Sequence, residues 1–156
     1  MLHILDPDKY DIAAIQEPYL DHTHNSRASP NWYTLYPKEH YAKPDRTRSL
    51  LLINRRIPTN NWAQIDIASS DVTAVQVQTP LGQVLLINMY NDGKNPEGAR
   101  KVTQYMRNMA RADNSRLPHH IVWMGDFNTH HLMWDEERNS HLFTRANLDK
   151  AQVING

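Results

Sequence analysis

Two short apolar runs in this chain each end in an acidic residue. Residues 10–17 read YDIAAIQE, and residues 119–126 read HHIVWMGD. A short apolar run bounded by polar or turn-forming residues is typical of a buried strand, so we predict a strand at each position. A proline follows Glu17, which favours a stop there. We therefore expect Glu17 and Asp126 to emerge at the ends of two strands.

The middle of the chain carries the clearest strand signals. Residues 49–54 (SLLLIN) repeat the buried-strand pattern. Residues 72–79 (VTAVQVQT) include alternating apolar positions, PLGQ supplies turn residues, and residues 84–90 (VLLINMY) return as an apolar run, which together predict a β-hairpin. Residues 21–47 are instead polar and rich in Asn, Ser, Pro and charge, so we predict mainly a long loop there. A loop of that length in a compact domain is more often functional than not.

A helix is predicted between the hairpin and the last strand. Asn95 is a candidate N-cap, and Pro96 suits the first helical position. Apolar residues then follow at helical spacing: Ala99, Val102, Met106 and Met109. This stripe predicts a helix face that packs on the core, without a cofactor role for the methionines.

Length and composition indicate one domain. The chain has 156 residues, of which 40% are hydrophobic, and this is enough for a core of ordinary size. We see no linker or low-complexity segment, so we treat residues 1–156 as a single α/β domain. No apolar run approaches the roughly 18 to 20 residues of a membrane span, and the first residues lack the pattern of a signal peptide. We therefore expect a soluble intracellular protein, in the nucleus or the cytoplasm, with no membrane partner.

Charge and cysteine content restrict the possible ligands. The 17 Lys and Arg residues balance 17 Asp and Glu residues, so the chain as a whole has no bulk attraction for nucleic acid. Residues 37–49 (PKEHYAKPDRTRS) carry a local basic excess around Tyr41, which is a candidate nucleic-acid patch; a solvated loop is the alternative. Because the chain has no cysteine, any metal must be held by oxygen or imidazole ligands.

The acids at the two strand ends suggest a metal site. Mg²⁺ prefers oxygen ligands, keeps several waters and usually takes only one or two carboxylates from a protein. Asn128 follows Asp126 by two positions, so both side chains point the same way if the extended conformation continues. Such a set fits phosphodiester hydrolysis, in which a metal withdraws charge, an acid orients water and an amide holds the phosphate. Taken one at a time, these residues are equally compatible with a solvated strand end or an ordinary turn, and His130 and His131 with surface or core histidines.

Three motifs occur in a recognisable order: AIQEPY, LLINMYN and WMGDFNTHHLMW. In order and approximate separation they resemble the endonuclease/exonuclease/phosphatase superfamily, which has the DNase I-like fold. Within it they are most similar to the endonuclease domains of non-LTR (LINE-type) retrotransposons. The resemblance implies an incomplete DNase I-like α/β sandwich that nicks DNA with Mg²⁺, or with Mn²⁺ in its place. It also implies a parent polyprotein with a downstream reverse transcriptase domain.

The resemblance also implies roles for individual residues. Glu17 would bind the metal, while Asp126 and Asn128 would orient or activate water and contact the phosphate. Tyr90 would lie close to the phosphate. The candidate substrate-binding residues, from these motifs and from the basic segment, are Asn88, Asn91, His130, His131, Arg46 and Arg48.

The chain departs from the family pattern in three places. Related enzymes often have an asparagine three residues after the tyrosine, where this chain has Gly93, so Asn91 is the candidate replacement. They begin with a strand whose asparagine helps to hold the metal, and they end with a Ser-Asp-His strand whose histidine is essential. We find neither, and His119 and His120 lie at the entry of their strand, where they cannot replace that histidine. We therefore expect a fragment with little activity alone.

Two alternatives stay open on the sequence. The first is another phosphoesterase of the same fold that acts on a small phosphorylated substrate. The second is a remnant that binds metal or nucleic acid without turnover. A calcineurin-like metallophosphoesterase is excluded, because the chain lacks that class's Gly-Asn-His segment and its further Asp and His ligands.

Overall fold

The computed structural model describes residues 5–93, 95–112, 118, 120–128 and 145. Within these residues, seven strands form two sheets, and one α-helix lies between the sixth and seventh strands. This arrangement confirms the predicted α/β class. None of the helices in these ranges is long and apolar enough to cross a membrane.

The first sheet has three antiparallel strands in the order β1-β3-β2: β1 (Ile12–Gln16), β2 (Trp32–Leu35) and β3 (Ser49–Asn54). β3 is central and buried along its whole length, as its apolar run predicted. β2 lies inside the segment that we predicted to be mainly loop. The prediction was wrong there because only Trp32 and Leu35 of this strand are buried, which is too few positions to produce a strand pattern.

The second sheet has four strands in chain order: β4 (Trp62–Ile65), β5 (Val72–Thr79), β6 (Gly82–Tyr90) and β7 (His120–Asp126). The predicted hairpin is confirmed, since β5 and β6 are antiparallel and Thr79 pairs with Gly82. Gly82 has a φ of 114°, a backbone conformation that favours glycine at this turn.

The predicted helix is also confirmed. α1 (Glu97–Ala112) connects β6 to β7, and these two strands run parallel. Ala99 and Val102 are buried against the second sheet, and Met106 packs beside them. The helix begins one residue later than predicted, and the carbonyl of Pro96 accepts a hydrogen bond from the fourth residue after it.

The second sheet lies between α1 and the first sheet. One face of β5 and β6 forms a core with α1. The opposite face of β5 packs against β3, through Val75 and Val77 on β5 and Leu51 and Ile53 on β3. Because side chains alternate along a strand, both faces of the second sheet are used.

β7 is a strand as predicted, but its burial differs from the prediction. Ile121, Val122 and Trp123 are 40%, 43% and 37% exposed. In the described part of the chain, β7 is the edge strand and pairs with β6 alone. The prediction that this run is buried is therefore wrong for the described residues. An apolar run indicates that a strand can be buried. Whether it is buried depends on which other residues pack against it.

Candidate active site

Glu17 lies immediately after β1 and is exposed. Its backbone has a φ of 46°, in the left-handed region that non-glycine residues rarely adopt. Its N–H donates a hydrogen bond of 2.9 Å to the carbonyl of Arg48, just before β3. The chain therefore stays attached to the first sheet at Glu17 and then turns away. Left-handed residues of this kind are enriched at functional sites, where the surrounding structure holds them.

Tyr90 brings the two predicted acids together. It is the last residue of β6 and is paired in register with Asp126, the last residue of β7. Its hydroxyl also interacts with Glu17, which follows a strand of the other sheet, strongly enough for that carboxylate to raise the pKa of Tyr90. Desolvation raises the pKa of Tyr90, as do the hydrogen bond to Glu17 and the negative charges of Glu17 and Asp126. Both carboxylates thus favour the protonated form of the Tyr90 phenol.

The turn after β7 is held by Asn91. Asn91 donates its backbone N–H to the carbonyl of Asp126 at 2.7 Å and its side-chain amide to the carbonyl of Phe127 at 2.6 Å. The side chain of Asn128 donates to the carbonyl of Asn91 at 2.9 Å. Asn128 has a φ of 45°, and its own N–H donates to a carboxylate oxygen of Asp126 at 3.0 Å. These bonds fix the carboxylate of Asp126 beside the amide of Asn128.

Asn91 is therefore first of all a structural residue. It is only 3% exposed, and its amide nitrogen is used by the turn. Its side-chain oxygen is buried and has no hydrogen-bond partner among the described residues. Gly93 packs against the same turn, since a Cβ there would lie 3.2 Å from the carbonyl oxygen of Asn128. The predicted substrate contact of Asn91 stays a prediction.

Gly125 explains how β7 reaches this position. It pairs with Met89, and its φ is 138°. A Cβ at Gly125 would overlap the carbonyl oxygen of Met89 and lie 2.8 Å from its carbonyl carbon. Only glycine lets the two strands approach this closely, and the pairing places Asp126 opposite Tyr90.

Asn88 has a structural role that the sequence did not predict. It is fully buried, and its side-chain nitrogen donates to the carbonyls of Ile15 at 3.0 Å and Leu50 at 2.8 Å. Its side-chain oxygen accepts a hydrogen bond of 2.6 Å from Gln16. Asn88 on β6 thus clamps β1 and β3 of the other sheet. We correct its predicted role, because a fully buried amide with these partners positions Glu17 and leaves no group for a substrate.

Arg48 is also engaged within the protein. Its guanidinium binds Asp71 through two nitrogens, at 2.8 and 3.0 Å, and Asp92 through a third at 3.2 Å. Its Cζ lies 4.8 Å from the centre of the Tyr90 ring. These carboxylates, Asp71 first, raise the pKa of Arg48. The side chain is thus held by two acids beside the Tyr90 ring, and its predicted substrate contact stays a prediction.

The remaining predicted residues lie beside the site or outside the described residues. Arg46 is exposed and ends a short 3₁₀ helix at Pro44–Arg46. It lines a cleft of about 440 Å³, here called the Arg46 cleft, together with Lys43 and Arg48. His130 and His131 lie outside the described residues. Asp71 and Asp92 were not predicted; the only signal for Asp71 is its position directly before β5.

The oxygen-rich end of the sheets fits a hard cation. Among the described residues, no group of three or more histidine, cysteine or acidic side chains could hold a metal. Glu17 and Asp126 supply two exposed carboxylates around one phenol. This number is what Mg²⁺ or Mn²⁺ takes from a protein when water completes its coordination. The described donors are thus compatible with either metal.

Comparisons with known proteins agree with this architecture. Residues 84–155 match the family described as endonuclease-reverse transcriptase. Among solved structures, the chain is similar to the endonuclease domain of TRAS1, a telomere-specific non-LTR retrotransposon, with a TM-score of 0.58 and 18% sequence identity. The match covers 94% of this chain and 61% of that one, so the chain spans about three fifths of that domain's length. No curated protein matches the chain. The structural match confirms the predicted DNase I-like α/β fold, and the family match over residues 84–155 agrees with the predicted superfamily.

Proposed function

We propose that this chain, which has the fold of the endonuclease/exonuclease/phosphatase superfamily, is part of a metal-dependent endonuclease domain that nicks DNA for a retrotransposon. One observation carries the proposal: Glu17 and Asp126, which are 109 positions apart in the sequence, both act on Tyr90, which is paired in register with Asp126. Three features maintain this arrangement: the buried amide of Asn88, the close approach at Gly125, and the contact of Arg48 with two acids. The family match adds support for a reverse transcriptase in the parent protein.

Each residue has a distinct task in the proposed reaction. Glu17 would hold Mg²⁺ or Mn²⁺, which supplies charge withdrawal from the phosphoryl oxygens when bound. Asp126 accepts one hydrogen bond from the Asn128 N–H, and its remaining lone pairs can orient a water and take its proton. Tyr90 has one hydroxyl proton, which interacts with Glu17 in the free chain and can turn to a phosphate oxygen when a substrate binds. Asn128 sits beside Asp126, where it fixes the direction of the carboxylate.

The proposal places part of the machinery outside this chain. The chain covers 61% of the similar endonuclease domain, and the resemblance assigns a further metal-holding asparagine and an essential histidine to strands that we do not find here. We therefore expect negligible nicking by this chain alone. We expect activity from a longer protein that supplies those strands.

A plasmid assay tests the proposal. The chain and a version extended by both missing strands are incubated with supercoiled plasmid and Mg²⁺, and open-circular product is measured. The extended protein should nick, and its Asp126→Ala variant should lose on the order of 10² to 10⁴ in rate, the range for a positioned acid or base. Asp8→Asn is the matched control, because Asp8 is an exposed acid outside the site.

Two results would count against the proposal. Robust Mg²⁺-dependent nicking by the chain alone would show that the missing strands are dispensable. Full activity of the extended Asp126→Ala variant would remove the catalytic assignment. Hydrolysis of a small phosphate ester without plasmid nicking would favour a phosphoesterase of the same fold.

A further inference from the structure

The segment between β2 and β3 has a second cleft that the proposed reaction does not use. It has a volume of about 300 Å³ and is separate from the Arg46 cleft. Its lining includes Tyr36, Pro37, Lys38, Tyr41, Gln64 and Asp66, and we call it the Tyr41 pocket. Both clefts lie along the same stretch of chain, which continues directly into Arg48 and β3.

The side chain of Tyr41 is exposed, but its ring packs against a buried residue. Its side chain is 85% exposed, the highest value among the large hydrophobic residues of the described chain. Its ring lies edge-on to His40, with centroids 5.0 Å apart. His40 is 3% exposed, stacks on Tyr36 at 4.0 Å and shares a hydrogen bond of 2.8 Å with the hydroxyl of Thr47. An exposed aromatic ring on such a support loses little conformational freedom when a flat ligand stacks on it.

The polar groups of the pocket suit a neutral ligand. Lys38 pairs with Asp66 across the pocket, so the two charges compensate each other. Gln64 donates its amide nitrogen to the carbonyl of Tyr36 and keeps its amide oxygen as an acceptor. The pocket therefore presents an aromatic wall, donors and acceptors, and little net charge. A nucleobase is flat and neutral, and carries donors and acceptors on its edge.

The lining of the Arg46 cleft contains four acidic residues and three cationic ones, so a phosphate contact there depends on the exposed Arg46. In a chain whose charges balance, residues 37–49 carry four Lys or Arg residues against two acids. Lys43 is paired with Glu39 at 3.3 Å, whereas Arg46 is exposed at the cleft. A cationic side chain beside a stacking ring is the combination that binds single-stranded nucleic acid, with the backbone on the charge and the base on the ring.

We propose that the Tyr41 pocket binds one unpaired nucleobase of a DNA strand, with an adjacent phosphate at Arg46. The choice of DNA rests on the proposed endonuclease function, but the binding itself requires no cleavage. The site would hold a DNA strand through a base that the reaction leaves unchanged.

Binding of single-stranded oligonucleotides in EDTA tests this proposal without turnover. Fluorescence anisotropy of the full chain is measured with a labelled strand of about ten nucleotides, and with the same strand made abasic. We expect Tyr41→Ala to weaken binding of the normal strand by about tenfold, since loss of one stacked base costs that much or more. Tyr41→Phe should bind like the natural chain. Leu81→Ala is the matched control, because Leu81 is 83% exposed at the hairpin turn.

The abasic strand separates the base from the phosphates. Tyr41→Ala and the natural chain should bind the abasic strand with equal affinity. Arg46→Gln should weaken the binding of both the normal and the abasic strand, and should lower the salt dependence of binding by about one counterion. The pocket assignment is overturned if Tyr41→Ala binds the normal strand like the natural chain, if it weakens the abasic strand as much, or if neither strand binds. The natural chain in EDTA tells the two proposals apart, since it should bind the oligonucleotide whether or not an extended protein nicks plasmid.

Discussion

Glu17 follows β1 and Asp126 ends β7, and both acids raise the pKa of Tyr90, but the structure holds the two strands in different ways. β1 is paired with the central strand of its sheet, and the strand end is fixed by the buried amide of Asn88. β7 pairs with β6 alone in the described part of the chain and exposes three apolar side chains. Its position depends on Gly125, where close approach to Met89 leaves no room for a side chain. The position of Glu17 thus depends on hydrogen bonds from a buried amide, and the position of Asp126 depends on a glycine that has no Cβ.

The difference predicts that the two strand ends respond to different substitutions. Gly125→Ala should have the largest effect, because the new methyl group overlaps the Met89 carbonyl and its backbone has a φ of 138°. Overpacking and backbone strain together should cost about 4 kcal/mol of stability. Chemical denaturation measures this cost, and amide exchange should show that residues 120–126 lose protection first.

Gly98→Ala is the matched control, since Gly98 lies in a helix and a Cβ there is 3.3 Å from a methyl of the buried Val72, a tight contact without overlap. We expect it to change stability by less than about 1 kcal/mol. Equal stability of Gly125→Ala and Gly98→Ala would contradict the close-approach explanation for β7.

Asn88→Ala should have the next largest effect, and it should act on β1. The substitution removes donors from two buried carbonyls and the acceptor of Gln16, which we expect to cost about 3 kcal/mol. Because Glu17 follows this strand end, its hydrogen bond with Tyr90 should weaken as well. Thermal unfolding measures the loss of stability, and Asn60→Ala is the control at an exposed asparagine. A loss no larger than that of the control would show that Asn88 does not clamp the sheets.

The charges around Tyr90 should produce a smaller effect on its titration. Glu17→Gln should lower the pKa of Tyr90 towards 10, because Glu17 raises it by its hydrogen bond and its charge. Arg48→Gln should raise that pKa further, since the positive charge of Arg48 lowers it. Absorbance at alkaline pH, taken as the difference from a Tyr90→Phe variant, measures both changes.

The raised pKa of Tyr90 also makes the stability of the chain depend on pH. A raised pKa in the folded chain means that the contribution of Tyr90 is fully present below pH 10, the ordinary tyrosine value, and is lost as pH rises through the folded value. Tyr90→Phe should remove this part of the alkaline loss. Arg56→Gln, at an exposed ion pair with Asp11, is the control and should leave the titration unchanged. A shift of the same sign in Glu17→Gln and Arg48→Gln would contradict the arrangement.

The sequence predicted the parts of the molecule that depend on local patterns. The hairpin and β3 follow from apolar runs and turn residues, and the two acids follow from their places at strand ends. β2 escaped prediction because only two of its positions are buried. The roles of Asn88 and Arg48 could not be predicted, because their partners are distant in sequence; Gln16 and Asn88 are 72 positions apart. A motif showed that these residue types matter, but only the packing of the two sheets distinguishes a structural amide from one that contacts a substrate.

A divalent-metal titration of the chain tests the central claim, that Glu17 and Asp126 form one site. Binding of Mn²⁺ is followed by the loss of free-ion electron paramagnetic resonance signal, with Mg²⁺ as competitor. We expect weak binding, because two carboxylates are the described ligands, and we expect Glu17→Gln and Asp126→Asn each to weaken it by about tenfold or more. Asp8→Asn should bind like the natural chain. Tight binding that survives both Glu17→Gln and Asp126→Asn would contradict the claim.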